Sequence, residues 1–326
     1  MTAGIRRRLR SAVITGGVVV GAAAMASAAY QEAAAARDRR RFAPVGRLVS
    51  VSGRKLHLLE AGHGPPTVVI VPALGESVLG WVRLQRELAT GMRVVVYDRA
   101  GIGWSDPPGR GRRTCDDRAA ELHALLDAAG IEPPYVLVAH SLGGIFARRF
   151  AVRYPGAVAG MVLVDSSHED QANRRGVNGW PHGRSGYYKS ALRWQCYVLG
   201  ARRLAAALGL LHQLDADTAS EVLPEHAAAY RASMLSSRER RAVVSELLMM
   251  STLSGSPPPL DSVPLTVITA ARQPIPGWQE MQDELAALSA DSVHIVADNA
   301  GHYVHLDAPE IVIQAVRDLA RRAGLA

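Results

Sequence analysis

Ser141 is the residue around which covalent chemistry can be built. It sits in Tyr135-Val136-Leu137-Val138-Ala139-His140-Ser141-Leu142-Gly143-Gly144, followed by Ile145-Phe146-Ala147-Arg148-Arg149-Phe150-Ala151. The first part reads as a buried strand and the last as a helix with apolar residues at helical spacing. A serine between them must occupy a sharp bend. Small residues two before and two after it, Ala139 and Gly143, let strand and helix approach without collision. This is the small-x-Ser-x-Gly pattern of a nucleophile elbow, with alanine in place of the first glycine. The bend would thrust Ser141 Oγ clear of the strand, within reach of a base from another loop. The Leu142 N–H opens the helix and could donate to a developing oxyanion, aided by the helix dipole. The plainer reading is a serine N-cap at an ordinary strand-to-helix turn.

The elements that must position Ser141 follow from the rest of the chain. Short strands are expected over Arg47–Val51, Lys55–Glu60, Thr67–Val71, Arg93–Tyr97, Gly160–Val164, Leu265–Thr269 and Val293–Val296. Helical spacing appears over Val78–Leu88, Asp116–Ala129, Trp278–Leu288 and Glu310–Arg322. Strands alternating with helices predict a mostly parallel central sheet covered on both faces, an α/β fold. From His168 to about Pro259 the chain is polar and helical and ends in Pro257-Pro258-Pro259. That stretch reads as a helical cap over the carboxyl edge of the sheet, where open α/β sheets keep their sites. The expected organisation is an N-terminal segment over 1–44, a core over 45–166 and 258–326, and a cap over 167–257.

With 326 residues, 48% of them hydrophobic, the chain can bury a sizeable core. The net charge of +7 invites a nucleic-acid reading, but residues 1–41 hold eight arginines against only Glu32 and Asp38. The remainder is close to neutral, so basicity belongs to the extension and no nucleic-acid face is expected. Cys115 and Cys196 make neither a disulfide framework nor a metal-ligand spacing and read as buried or incidental thiols.

Arg6-Arg7-Arg8-Leu9-Arg10 precedes an uncharged run, 11–29, close to the roughly 20 residues that span a bilayer. The run reads as an uncleaved membrane anchor, with the catalytic domain extracytoplasmic by the balance of flanking charge. The alternative is a secretory signal cut after Ala26-Ser27-Ala28.

The order of elements, the elbow and the block Asp98-Arg99-Ala100-Gly101-Ile102-Gly103-Trp104-Ser105 together resemble the α/β-hydrolase fold superfamily, and within it a serine-dependent hydrolase with a cap. The resemblance covers roughly 45–166 and 258–326. It implies a catalytic histidine on the loop after the last strand, where Gly301-His302 precedes Pro309-Glu310 and makes His302 the base; His305 reads as packing or surface. His140 adjoins the nucleophile and should point into the elbow packing. The acid in such chains commonly follows the strand Leu265–Thr269, yet Ala270–Gly277 contains none. The superfamily's alternative place, the end of the strand after the elbow helix, holds Asp165. Asp283 is the other candidate. The second oxyanion donor is expected from Pro72-Ala73-Leu74-Gly75-Glu76-Ser77, at Leu74, although relatives often carry His-Gly where this chain has Pro72-Ala73. Asp98 with Gly101 and Gly103 lacks the later glycine of a dinucleotide site and reads as a structural turn.

The expected function is cleavage of an ester, thioester or amide acyl bond in a small-molecule substrate, by Ser141, His302 and Asp165 with Leu142 and Leu74 at the oxyanion. No metal or organic cofactor is implied. Rival readings are a cofactor-free haloperoxidase-like or carbon–carbon bond hydrolase on the same residues, and an inactive hydrolase fold used as a binding scaffold. Oligomeric state is not legible from the chain.

Overall fold

The computed structural model describes residues 3–109, 111–174, 200–210, 222–273 and 275–325. The expected cap residues 175–199 and 211–221, with Cys196 among them, lie outside the described residues.

Helix α1 (Ala3–Arg41) is followed by a hairpin, β1 (Arg47–Val51) and β2 (Arg54–Ala61). Strand β3 (Thr67–Val71) leads through a 3-10 turn, Val78–Trp81, into α2 (Val82–Leu88) and β4 (Arg93–Tyr97). Then come α3 (Cys115–Ala128), β5 (Tyr135–His140), α4 (Leu142–Arg153) and β6 (Val158–Val164). Helices α5 (Ala201–Ala207), α6 (Ala227–Met234) and α7 (Ser237–Met250) fall between β6 and β7 (Leu265–Ala270). The chain closes with α8 (Trp278–Ala286), β8 (Ser292–Ala297), the single turn α9 (Val304–Asp307) and α10 (Pro309–Arg322).

Among the described residues the strands form one eight-stranded sheet in the order β1-β2-β4-β3-β5-β6-β7-β8. The hairpin pairs antiparallel and β2 is antiparallel to β4; from β4 onward every pairing is parallel. The central parallel strands are buried along their length because helices cover both faces. That is why they read as continuous Val, Ile and Leu runs rather than alternating ones. One apolar layer sets α3 and α4 against the sheet, and the other sets α2 and α10 against the opposite face. Each fully buried Val, Leu or Ile contributes roughly 1.5–3 kcal/mol over leaving it exposed.

The sheet order fixes where a site can form. From β3 the chain moves outward to β4, then returns to β5 on the other side of β3. The loops leaving β3 and β5 therefore part in opposite directions and open a crevice at the carboxyl ends of the strands. The loop Pro72–Ser77 and Ser141 both lie there, beside the carboxyl ends of β6 and β8.

The membrane segment expected over 11–29 is not found: among the described residues no helix is long and apolar enough to cross a membrane. Alanine, glycine and serine make much of the run. They favour or tolerate a helix but supply little apolar area per residue. The helix continues unbroken to Arg41, and its polar second half binds the folded domain. Gln31 Nε2 donates to the Leu235 carbonyl (2.7 Å), and Ser237 Oγ donates to Glu32 Oε1 (2.6 Å). Arg203 pairs with Asp38 (2.7 Å), and the Trp104 indole donates to the Phe42 carbonyl (2.9 Å).

Candidate active site

Strand β5 delivers Ser141 into α4 through a strained bend. Ser141 has φ 50° and ψ −121°, a backbone region that costs of order 1–3 kcal/mol for a residue with a side chain. The strain persists because both flanking elements are buried and hydrogen-bonded in place: Ser141 N–H donates to the Val164 carbonyl (3.1 Å), and Ser141 carbonyl accepts from Ser167 N–H (2.9 Å). A Cβ at Gly143 would run into the Val71 carbonyl oxygen and lie 2.6 Å from that of Pro72. Gly143→Val is therefore expected to lower the melting temperature by several degrees, since overpacking costs typically 1–3 kcal/mol or more, and to remove turnover. A variant that melts and turns over like the parent would show that α4 does not need this approach to β3.

The structure brings Ser141, His302 and Asp165 together. His302 Nε2 is 3.0 Å from Ser141 Oγ, and His302 Nδ1 is 2.6 Å from Asp165 Oδ2. A carboxylate oxygen only accepts, so Nδ1 carries the proton and Nε2 presents its lone pair to the serine. Asp165, fully buried at the end of β6, has φ 40°, which turns its side chain toward β7 and the His302 loop. Its Oδ1 accepts from Ala270 N–H (3.0 Å) and from the Trp278 indole (2.8 Å). Gln273 Nε2 donates to Oδ2 (3.2 Å) and lies 3.0 Å from His302 Nδ1. Gln273 and Trp278 escaped the sequence reading. The acid-free loop after β7 was the available signal, for it supplies donors to an acid carried elsewhere. Asp283 is not brought to His302; its exposed carboxylate pairs with His294 (3.2 Å) and accepts from Gln279.

The loop after β3 is held from two sides. Arg99 is buried and donates to the carbonyls of Pro72 (2.6 Å) and Ala73 (2.5 Å), and through Nε and Nη2 to Glu246 of α7 (2.8 and 3.0 Å). Glu246 also accepts from Gly75 N–H. Burial works against ionisation of Glu246, but Arg99, Arg118 and the Gly75 N–H together hold it below the usual carboxylate range. Ala73 N–H goes to Glu76 Oε2 (2.6 Å), and Glu76 N–H to the Ala73 carbonyl (3.2 Å). Pro72 has no N–H. Leu74 N–H, between these tied residues, is left without a partner among the described residues, and Leu142 N–H stands at the open end of α4. A Cβ at Gly75 would lie 2.9 Å from Val243 Cγ2, so α7 runs close against this loop.

Several titratable groups near the site have structural duties. Asp98 Oδ2 pairs with His57 Nδ1 (2.7 Å) and Oδ1 accepts from Val78 N–H (2.9 Å), so the Asp98–Ser105 block is a structural turn. His305 is buried and stacks on Trp81 with ring centroids 3.9 Å apart. His140 is buried under the elbow and bridges Glu76 to the His302 main chain. Cys115 is buried beside Met249.

A cavity of about 120 Å³ opens beside the loop after β3, lined by Leu74, Tyr230, Met234, Glu239, Val243 and Tyr303 among others. Burial outweighs the Ser233 hydroxyl and the nearby arginines and pushes the Glu239 carboxyl up to about 8. The folded protein keeps this group protonated where the unfolded chain, near 4.5, has released its proton. The stability so conferred is full below the unfolded value and is lost as pH rises toward about 8. Glu239→Gln, neutral throughout, should match the parent near pH 4.5 and melt several degrees higher at pH 9. Thermal melts across that range check this, and parallel pH curves for the two proteins would contradict it.

A family model described as alpha/beta hydrolase fold matches residues 66–309. The chain is 26% identical over 258 residues to an uncharacterized protein, YqjL, of Bacillus subtilis, covering 79% of this chain and 85% of the relative. Among solved structures it resembles a thermophilic esterase from Thermogutta terrifontis, with TM-score 0.64 and 22% identity, covering 85% of this chain and 98% of that one. It also resembles the enol-lactonase from Burkholderia xenovorans, with TM-score 0.64 and 20% identity, covering 84% and 100%.

Proposed function

The chain belongs to the alpha/beta hydrolase fold family, and on that premise we propose that it is a serine hydrolase acting on an ester, thioester or amide acyl bond of a small molecule. The observation that carries the reading is the continuous line Ser141 Oγ to His302 Nε2 and His302 Nδ1 to Asp165, mounted on a strained elbow.

The steps follow from those contacts. A serine hydroxyl is a weak nucleophile until a base takes its proton. As Ser141 Oγ attacks the acyl carbon, its proton passes to His302 Nε2, and Asp165 stabilises the imidazolium formed. The carbonyl oxygen becomes an oxyanion held by the N–H groups of Leu142 and Leu74. Neither needs to reorganise, because the helix end and the Arg99–Glu246 anchorage set their directions beforehand. Collapse of the tetrahedral species breaks the bond to the leaving group, which takes the proton from His302. Water then attacks the acyl-enzyme with His302 again as base, releasing the acid and restoring Ser141.

The inserted helices would select the substrate. Tyr230, Met234 and Val243 present largely apolar surface to the cavity beside Leu74, which suits the acyl or leaving-group side of such a molecule. The acid missing after β7 is the one sequence feature favouring an inactive scaffold; Asp165, 2.6 Å from His302 Nδ1, supports the active reading instead. The test is covalent labelling with a fluorophosphonate followed by peptide mapping. A single adduct on Ser141 supports the reading; no adduct, or one on another serine, overturns it.

A further inference from the structure

A second hydrogen-bonded line lies behind Ser141 and His302, and the acyl-transfer steps make no use of it. His140 is fully buried; its Nδ1 is 2.8 Å from Glu76 Oε1 and its Nε2 is 2.8 Å from the main-chain carbonyl oxygen of His302. Glu76 Oε2 is occupied by the Ala73 N–H (2.6 Å) and the Trp81 indole (3.1 Å). A carbonyl oxygen can only accept, so His140 Nε2 carries a proton. An ionised carboxylate can only accept, so Nδ1 carries one too. Burial disfavours charge on both partners. Even so, Glu76 raises His140 above its ordinary value, and His140, its hydrogen bond and the Ala73 N–H hold Glu76 well below its own. Glu76, His140 and His305 offer ligand atoms within 4.8 Å of one another, but with both nitrogens donating, His140 has no lone pair left for a metal ion.

We infer that Glu76 and His140 form a buried carboxylate–imidazolium pair that positions His302 through its main chain and ties the base loop to the loop bearing Leu74. Both are positioning residues, and their role rests on the serine-hydrolase reading. The pair spans the two halves of the machinery. Glu76 closes the loop after β3 onto Ala73, and His140 grips the residue that must receive the Ser141 proton. A charge-assisted hydrogen bond in a buried setting holds more firmly than a neutral one. The grip is present while His140 is protonated and is lost as pH rises through its raised folded value. The titratable groups facing His140 are Glu76, His302, Tyr303 with ring centroids 5.5 Å away, and His305 at 4.8 Å, with Asp165 acting at longer range. Burial pushes His305 down to about 3, so it stays neutral and does not titrate with the pair.

The test combines the parent with three variants. In ¹⁵N-histidine-labelled parent enzyme, His140 should keep two protonated ring nitrogens to higher pH than an ordinary histidine does, a state independent of any variant's folding. The kcat profile should fall on an alkaline limb. Glu76→Gln should move that limb to lower pH, leaving the acid limb and KM nearly unchanged. His140→Gln should lower kcat about ten- to hundred-fold, the range matching loss of one charge-assisted hydrogen bond, and abolish the limb. Glu239→Gln should leave the limb in place, since the limb would otherwise belong to that carboxyl. A neutral His140 in the parent, a limb unmoved in Glu76→Gln and His140→Gln, or a limb lost in Glu239→Gln would overturn the inference. Fluorophosphonate labelling of the parent keeps the two failures apart. An unlabelled parent overturns the hydrolase reading and this one with it, whereas a labelled parent with any of those three results overturns the pair alone.

Discussion

Ser141→Ala is expected to lower kcat by on the order of 10⁴-fold or more and to abolish fluorophosphonate labelling, with the melting temperature kept within a few degrees. Losing the nucleophile removes the covalent route, and members of such a set act as a unit, so its loss costs nearly as much as losing all of them. On the proposed mechanism, what remains is binding and oxyanion stabilisation by Leu142 and Leu74. The fold should survive because the bond this structure shows for Ser141 Oγ is the one to His302 Nε2, while the bend is held by main-chain bonds that alanine retains. Labelling and turnover measured on one preparation check both halves. Labelling that persists in Ser141→Ala would move the nucleophile elsewhere in the chain.

Asp165→Asn should be nearly as damaging, with kcat reduced by about 10⁴, the scale seen where an asparagine replaces such an aspartate. The geometry says why the new amide would be fixed in the wrong orientation. Ala270 N–H and the Trp278 indole both donate to Oδ1, so the amide oxygen of the substituted side chain would stay there. Its NH₂ would then face His302 Nδ1 and donate to it, driving the histidine proton onto Nε2. Nε2 would meet Ser141 Oγ without a lone pair and could not take its proton. KM should change little, because Asp165 lies behind His302, away from the substrate. Asp283→Asn is expected to stay within severalfold of the parent, since its partner is His294 on the outer strand β8. Steady-state kinetics and ring-nitrogen NMR of His302 check the pair of variants. A large loss in Asp283→Asn with a mild one in Asp165→Asn would place the orienting acid after β7.

The inserted helices gain a specific role from the Arg99–Glu246 contact. Arg99 belongs to the turn block after β4, Glu246 to α7, and both reach the loop carrying Leu74. On the proposed reading, a helix that borders the cavity beside Leu74 thereby also helps to set the direction of the Leu74 N–H.

Some of this protein is written in near neighbours along the chain. The continuous apolar runs of β3, β5 and β7 identify strands buried on both faces, because no half-exposed strand tolerates such a run. Ala139, Gly143 and Gly144 around Ser141 declare the bend, because only small side chains let the strand and helix meet there. Order along the chain was enough to single out His302 and Asp165 as candidates. It favoured Asp165 and kept Asp283 only as the alternative, and it read residues 11–29 as a membrane segment that the folded chain does not show. An uncharged run of membrane-like length became, in the folded chain, a stretch of one long helix whose polar continuation docks on α6, α7 and Arg203. Everything that depends on contact across the sheet was decided by tertiary structure. Asp165 reaches His302 over 137 residues, His140 reaches Glu76 over 64, and Gln273 and Trp278 serve an acid on a different strand. Hydrophobic periodicity and turn chemistry are local, so a sequence displays them. Which loop ends share a crevice depends on strand order, and β3, β5, β6 and β8 bring their carboxyl ends together only once the sheet has formed.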